Sequence, residues 1–166
     1  MVELRKAVAS DSRSILEVNV KTWCVAYKGI IPEDYLQYRK DTIEEQIRRC
    51  EETVEDDNNV YVALENGNVV GIMSYGPSRT IGFENYGEIY TLYVLNEHQK
   101  KGIGTLLLQK GIQELKNMDY NKIIVNCLKD NKSNDFYIKF GSKIVGVHET
   151  EIGGKRLAEN TLLFNC

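Results

Sequence analysis

Apolar and polar residues alternate in some segments of this chain and recur at helical spacing in others, and the two patterns predict its secondary structure. The predicted strands span residues 2–6, 60–64, 69–75, 89–95, 122–128, 143–149 and 157–164. Helices are predicted to start at capping residues, a proline or a glycine, namely Ser10-Asp11, Pro32, Asp41-Thr42, Gly104 and Asp130-Asn131. Residues 51–59, rich in Glu, Asp and Asn, are interpreted as a solvated helix end and loop, with attraction of a cationic amine as the alternative.

The turn between the second and third predicted strands contains Asn66-Gly67, a dipeptide that tolerates positive φ and favours a hairpin. The two strands of this hairpin and the strand after them form a run of three antiparallel strands. The predicted order along the chain is a strand, the first helices, this run of three strands, a helix, a strand, a helix and two strands. This order predicts an α+β fold with a mixed, mostly antiparallel central sheet flanked by helices. Residues 1–166 are expected to form a single domain.

Composition and charge narrow the function classes. Hydrophobic residues make up 42% of the chain and charged residues 27%, which is typical of a globular protein. The net charge of −3 argues against a non-specific nucleic-acid binder. No apolar run is long enough to span a membrane, and Glu3, Arg5 and Lys6 interrupt any signal-peptide core, so a cytoplasmic location is expected.

Cysteine and histidine spacing indicates neither a disulfide framework nor a metal site. The cysteines are expected to be buried or semi-buried thiols in a reducing compartment. They are widely scattered, at Cys24, Cys50, Cys127 and Cys166. His98 and His148 lie far apart and match no metal-ligand spacing. No cysteine stands near the motifs described below at a spacing that suggests a nucleophile, so no covalent intermediate is expected.

Residues 88–108 form the most informative stretch of the chain. Residues 89–95 are almost unbroken β-branched, aromatic and aliphatic sequence, which suits a strand buried on both faces. Residues 99–104 (Gln-Lys-Lys-Gly-Ile-Gly) then place small residues and positive charge at the start of a helix. Because the first N–H groups of a helix are unpaired and its dipole favours an anion, this turn predicts a phosphate-binding site.

Two motifs in this chain together resemble the GNAT superfamily of N-acetyltransferases. Gln99-x-x-Gly102-x-Gly104, behind the strand Leu92-Tyr93-Val94, is similar to the acetyl-CoA pyrophosphate loop of that family. A second block, from Asn131 through residues 136–141 (Phe-Tyr-Ile-Lys-Phe-Gly), resembles the family's other motif at the usual distance downstream. The chain lacks a P-loop motif and the third glycine of a dinucleotide fingerprint.

The resemblance implies that acetyl-CoA is the cosubstrate. It also implies that the strands at residues 88–94 and 122–128 splay apart to form the cofactor cleft. The residues it assigns to cofactor binding are Leu92, Tyr93, Val94, Gln99, Lys100, Lys101, Gly102, Ile103, Gly104, Thr105, Asn131 and Tyr137.

The same resemblance suggests catalytic groups. Tyr137 matches the tyrosine beside the cofactor sulfur, where a phenol can hydrogen-bond or protonate the departing thiolate. Glu88 occupies a place where relatives carry a group that deprotonates the acceptor, directly or through water. Trp23, Tyr27 and Tyr90 are candidates for the acceptor pocket.

Each of these residues also has a structural interpretation. Tyr137 could be a core aromatic that packs beside a neighbouring phenylalanine. Asn131 could be the N-cap of a helix, and Glu88 could be an exposed residue at the end of a strand. Trp23 and Tyr27 share a helical face, which equally describes core packing.

At the level of function, the first hypothesis is an N-acetyltransferase that moves an acetyl group to a primary amine by direct attack in a ternary complex. The alternative is a non-catalytic acyl-CoA-binding or sensing module with the same fold. The acceptor, a small molecule or a protein amino group, stays open, as does the choice between monomer and homodimer.

Overall fold

The computed structural model describes all residues, 1–166, as seven strands and five helices. The strands are β1 (Val2–Lys6), β2 (Val60–Glu65), β3 (Asn68–Pro77), β4 (Gly87–Val94), β5 (Lys122–Leu128), β6 (Lys143–Ile152) and β7 (Lys155–Asn165). The helices are α1 (Ser12–Ala26), α2 (Glu33–Asp41), α3 (Ile43–Asp56), α4 (Ile103–Asn117) and α5 (Ser133–Phe140). None of the helices combines the length and apolar character needed to cross a membrane.

All seven strands belong to one sheet in the order β1-β2-β3-β4-β5-β7-β6. Every neighbouring pair is antiparallel except β4 and β5, which are parallel. This confirms the predicted α+β fold with a mixed, mostly antiparallel sheet. The parallel pair is joined only between Gly87–Ile89 and Ile123–Val125, so the two strands diverge beyond these residues. The splayed cleft that the resemblance implied is therefore present.

Several element boundaries differ from those predicted. The acidic segment after residue 51 is mostly helix, because α3 continues to Asp56 before the chain turns. Helix α5 begins at Ser133, two residues after Asn131, whose side chain accepts the Ser133 backbone N–H. Strands β6 and β7 are longer than predicted because they pair with each other up to the turn at Gly153-Gly154, beyond their apolar residues.

The two faces of the sheet pack against different helices. On β2, Tyr61 and Ala63 join the cluster under α4, whereas Val62 and Leu64 join the cluster under α1 and α3. Side chains of successive strand residues point to opposite faces, so α4 lies on one side of the sheet and α1 and α3 on the other. The splay between β4 and β5 is thus bounded by helices on both sides.

Strand β4 is irregular at Tyr90. Its register with β3 shifts so that Tyr75 pairs with Ile89 and Ser74 with Thr91, which leaves Tyr90 as the extra residue of a β-bulge. Residues 90–93 are only half-buried, so the prediction that this whole strand is buried on both faces is wrong for its second half. The physical reason is that β5 has already diverged there and no strand covers that edge.

Candidate active site

A cleft of about 410 Å³ opens where β4 and β5 diverge. Its walls come from the end of β4, the start of α4 and the start of α5, together with Thr22 and Ala26 of α1. Nine of the predicted cofactor residues line it: Leu92, Tyr93, Val94, Gln99, Lys100, Gly102, Gly104, Thr105 and Asn131. The structure thus gathers most of the sequence-predicted cofactor site in one cavity, to which α5 adds Lys132, Ser133 and Phe136.

The backbone of β4 presents hydrogen-bonding groups to this cleft. The N–H of Leu95 donates to the carbonyl of Val70 on β3. In an antiparallel pair alternate residues direct their backbone groups to the same neighbour, so Leu92 and Val94 face the cleft. The Gln99 side chain donates to the carbonyl oxygen of Val94 over 2.9 Å, which leaves the Val94 N–H and both Leu92 groups free for a ligand. Such an edge fits the amides of a pantetheine arm.

The turn before α4 fits a pyrophosphate. The first backbone hydrogen bond of α4 runs from Leu106 N–H to the Gly102 carbonyl, so the N–H groups of residues 103–105 are unpaired. Gly102 has φ +83°, a left-handed conformation that other residues adopt only with strain. Lys100 adds a positive charge at the cleft wall. Together these groups form an anion site at a helix N-terminus.

Two predicted cofactor residues do not place their side chains in the cleft. The Lys101 ammonium lies 3.7 Å from the Glu65 carboxylate, on the side of the β2–β3 turn. Ile103 is 1% exposed and belongs to the hydrophobic core under α4. Only their backbone groups are available to a ligand in the cleft.

A narrow throat of about 30 Å³ continues from the floor of the cleft. It shares Leu92, Tyr93, Asn131 and Ser133 with the cleft. Its deeper wall contains the predicted residues Tyr27, Tyr90 and Tyr137, together with Val125, Asn126 and Cys127. This places Tyr137 at the inner end of the cofactor cleft.

Burial controls the ionisation of the groups in this throat. It raises the pKa of Tyr137, which is 5% exposed, well above the ordinary value of a phenol. Tyr137 therefore keeps its proton at neutral pH and is a hydrogen-bond donor. Burial also raises the pKa of Cys127 to about 12, with a further contribution from the Glu159 charge.

Cys127 corrects one expectation from the sequence. The spacing in the sequence suggested no cysteine nucleophile near the motifs, yet β5 brings Cys127 into the same throat as Tyr137. A nucleophilic cysteine must be a thiolate, and a thiol with a pKa of about 12 is protonated at neutral pH. The reason for discounting a covalent intermediate is therefore the burial of this thiol.

A third cavity, of about 540 Å³, lies beyond the throat, and Asn126 lines both. We call it the acidic pocket. Its charged and titratable residues come from β4, β6, β7 and the segment after β3; they are Arg79, Glu88, His148, Glu149 and Glu159. Glu88 and Glu159 direct their carboxylates to this face of the sheet, whereas Glu149, next to His148 on β6, is exposed on the opposite face. With two carboxylates against one guanidinium, the pocket favours a cation.

Glu88 is held firmly in this pocket. Its Oε2 accepts hydrogen bonds from the Ser78 hydroxyl, the Arg79 backbone N–H and the Thr80 hydroxyl at 3.1, 2.8 and 3.1 Å. Its Oε1 accepts one from the Asn126 amide at 3.2 Å. At 7% exposure Glu88 is buried, so the interpretation as an exposed strand end is wrong.

The remaining predicted residues have clear structural partners. The Trp23 ring packs edge-on against Tyr27, with 4.9 Å between the ring centroids, and the Arg39 guanidinium lies 4.4 Å from the Trp23 ring centroid. Trp23 was predicted to line the acceptor pocket, but it lines neither the throat nor the acidic pocket. Tyr27 accepts a hydrogen bond from the Asn131 amide over 3.3 Å. The N-cap of α5 is Lys132 rather than Asn131, but the Asn131 side-chain oxygen accepts the backbone N–H of Ser133, the first residue of α5. Asn131 also lines the cofactor cleft.

Sequence reasoning missed most of the acidic pocket. Asn126, His148, Glu149 and Glu159 stand in three different strands, and each looks like an ordinary polar strand position. The available signal is that the side chains of Asn126, His148 and Glu159 fall on the sheet face of Glu88 once the strand order is known, whereas Glu149 falls on the other face. That order cannot be read from the local pattern of residues.

Comparisons with known proteins identify the fold and the activity of similar chains. The acetyltransferase (GNAT) family model matches residues 22–141. An uncharacterized N-acetyltransferase, YuaI of Bacillus subtilis (strain 168), is 34% identical over 163 residues, covering 96% of this chain and 90% of YuaI. A spermidine N(1)-acetyltransferase of Thermoplasma acidophilum is 28% identical over 154 residues, covering 86% and 89% of the two chains.

Solved structures agree with these matches. The PaiA N-acetyltransferase of Thermoplasma acidophilum, in complex with coenzyme A, superposes with a TM-score of 0.76 at 20% identity, covering 100% of this chain and 99% of PaiA. YncA, a putative acetyltransferase of Salmonella typhimurium with acetyl-CoA, gives a TM-score of 0.75 at 22% identity, covering 99% and 94%. At these identities the superpositions show a shared fold.

Proposed function

Because this chain belongs to the acetyltransferase (GNAT) family and is an N-acetyltransferase that uses acetyl-CoA, we propose that it acetylates a primary amine of a small cationic acceptor. The amine attacks the thioester directly in a ternary complex. The observation that carries this proposal is the line of three cavities that share lining residues, from the cofactor cleft through the throat to the acidic pocket. A donor and an acceptor bound at the two ends would meet at the throat.

The chain's own groups divide the work of the reaction. The turn before α4 holds the pyrophosphate, and the free edge of β4 aligns the pantetheine arm so that the thioester reaches the throat. An N–H of this edge polarises the thioester carbonyl as an oxyanion-hole donor. Tyr137 donates a hydrogen bond or its proton to the sulfur as the C–S bond breaks. Burial raises the pKa of this phenol, which favours donation of a hydrogen bond to the sulfur over release of the proton.

We assign the acidic pocket to the acceptor. An alkylammonium is attracted by Glu88 and Glu159, whose carboxylates face the pocket. The match to a spermidine N(1)-acetyltransferase supports a polyamine-type acceptor, because such a molecule carries several positive charges. Tyr90 borders the path between pocket and throat, with the Arg79 guanidinium stacked 3.8 Å from its ring centroid.

The amine must lose a proton before it attacks. An alkylammonium has a pKa near ~10.4, so most of it is charged at neutral pH. Glu88 lies in the acidic pocket and accepts a hydrogen bond from Asn126, which also lines the throat. This position suits a carboxylate that binds the ammonium and takes its proton directly or through water. We therefore retain Glu88 as the first proton acceptor.

Free-thiol release from acetyl-CoA tests this function with a panel of spermidine, a monoamine, an acidic amino acid and a short peptide. We expect the highest kcat/KM for spermidine and the lowest for the acidic amino acid, because the pocket repels a carboxylate. Glu88→Gln should lower kcat/KM for every accepted amine about a hundredfold. The matched control is Glu55→Gln, an exposed carboxylate on α3. Equal kcat/KM in the Glu88 variant and the parent would remove Glu88 from the mechanism.

A further inference from the structure

A chain of side-chain hydrogen bonds crosses the floor of the acidic pocket from β4 to β6. The Asn126 amide donates to Glu88 over 3.2 Å and to the Thr80 hydroxyl over 2.7 Å. The Thr161 hydroxyl donates to the Asn126 carbonyl oxygen over 2.8 Å. Beyond Thr161 the chain ends at the His148 imidazole, whose Nε2 lies 2.9 Å from Glu159 Oε1. The proposed function assigns no role to this imidazole.

The directions of these bonds constrain the protons on His148. The single proton of the Thr161 hydroxyl is used in the bond to Asn126, so only a lone pair of Thr161 faces His148 Nδ1, at 3.5 Å. The Glu159 carboxylate accepts only, so Nε2 carries its proton towards it. In a neutral imidazole the lone pair of His148 Nδ1 then faces the lone pair of the Thr161 hydroxyl oxygen. The two atoms are at the outer limit of hydrogen-bonding distance. A proton added at Nδ1 satisfies both atoms.

Both carboxylate oxygens of Glu88 are already occupied by hydrogen-bond donors. Its carboxylate already accepts four hydrogen bonds, each of which is strongest to the charged form. It is also 7% exposed, whereas the His148 side chain is 39% exposed. An imidazole exchanges protons readily near neutral pH. The pocket therefore has a buried carboxylate near the throat and an imidazole in contact with solvent.

We propose that His148, oriented by Glu159, carries the acceptor's proton out of the acidic pocket. This inference rests on the proposed function. The N–H bond of the ammonium breaks, and the proton reaches His148 Nδ1 through Glu88 or through water in the pocket. The freed lone pair forms the C–N bond to the acetyl carbon while the C–S bond breaks. The nitrogen then loses its second proton, which reaches the departing thiolate directly or by way of the Tyr137 hydroxyl, so that an amide and a free thiol are left. The imidazolium, paired with the Glu159 carboxylate, then returns its proton to solvent.

The acid limb of the pH–rate profile tests this role, because a protonated imidazole cannot accept the proton. The charged groups that line the same pocket are Arg79 after β3, Glu88 on β4, Glu149 on β6 and Glu159 on β7. We expect His148→Gln to lower kcat/KM for spermidine about tenfold or more and to abolish the limb attributable to the imidazole. Glu159→Gln removes the charge paired with the imidazolium, so it should move the limb to lower pH.

The matched control is His98→Gln, because His98 is the only other histidine and also faces a carboxylate, with its Nδ1 2.6 Å from Glu65. That variant should keep the acid limb of the parent. Melting temperature and coenzyme A affinity check that each variant is folded. A His148→Gln enzyme with the parent's pH profile would overturn the inference while leaving the proposed function intact. A parent that acetylates no amine would overturn both.

Discussion

Tyr137 shows how one side chain acquires a chemical role from its surroundings. Its ring packs edge-on against Phe136 and Phe164, at centroid distances of 5.3 and 6.3 Å, so its position is fixed by the core. Burial raises the pKa of its hydroxyl and keeps it protonated. The two interpretations drawn from the sequence, a core aromatic and a group beside the sulfur, are thus compatible in one residue.

Tyr137→Phe separates these two roles. The ring remains, so the packing against Phe136 and Phe164 should survive and the melting temperature should change little. If the hydroxyl stabilises the leaving thiolate, kcat should fall about a hundredfold while KM for acetyl-CoA stays constant. Steady-state kinetics under conditions where chemistry limits turnover measures both constants. A kcat within about twofold of the parent would leave Tyr137 with a packing role only.

At the level of elements, the end of β4 and the turn that follows it carry the cofactor site. The bulge at Tyr90 directs this ring towards Gly76, where an added Cβ would lie 2.5 Å from the Tyr90 hydroxyl. The apolar pattern predicted the strand but not the bulge, because one extra residue leaves the local pattern of residue types unchanged. The turn was predictable from Gly102 and Gly104, since few residue types suit a helix start that binds phosphate.

Two substitutions at Gly104 test the turn. A Cβ at this position would meet Phe136 at 3.5 Å, an ordinary contact, so Gly104→Ala should bind coenzyme A nearly as well as the parent. Gly104→Glu places bulk and negative charge against the pyrophosphate and should weaken binding much more than it lowers the melting temperature without ligand. Isothermal titration calorimetry with coenzyme A compares the three proteins. Equal affinities for the Glu variant and the parent would show that the turn does not hold the pyrophosphate.

At the level of the whole molecule, the strand order creates the site. The parallel pair β4–β5 is joined over only three residue pairs, and its divergence opens the cleft and throat. The family resemblance that the two motifs carry implied this part, whereas the apolar pattern alone did not show it. The acidic pocket was not predictable, because Arg79, Asn126, His148 and Glu159 are far apart in sequence and meet only when β5, β7 and β6 line up beside β4.

The central claim is that the acetyl group passes directly from acetyl-CoA in the cleft to an amine in the acidic pocket. A single-turnover experiment with radiolabelled acetyl-CoA, excess enzyme and spermidine tests it most directly. We predict that all transferred label appears on the amine and none on the denatured protein, and that Cys127→Ala transfers label as the parent does. Label that is bound to the protein before the amine is added would contradict direct transfer. Failure of the Cys127→Ala variant to transfer label would contradict it as well. Label that stays on coenzyme A throughout would contradict acetylation of this class of amine.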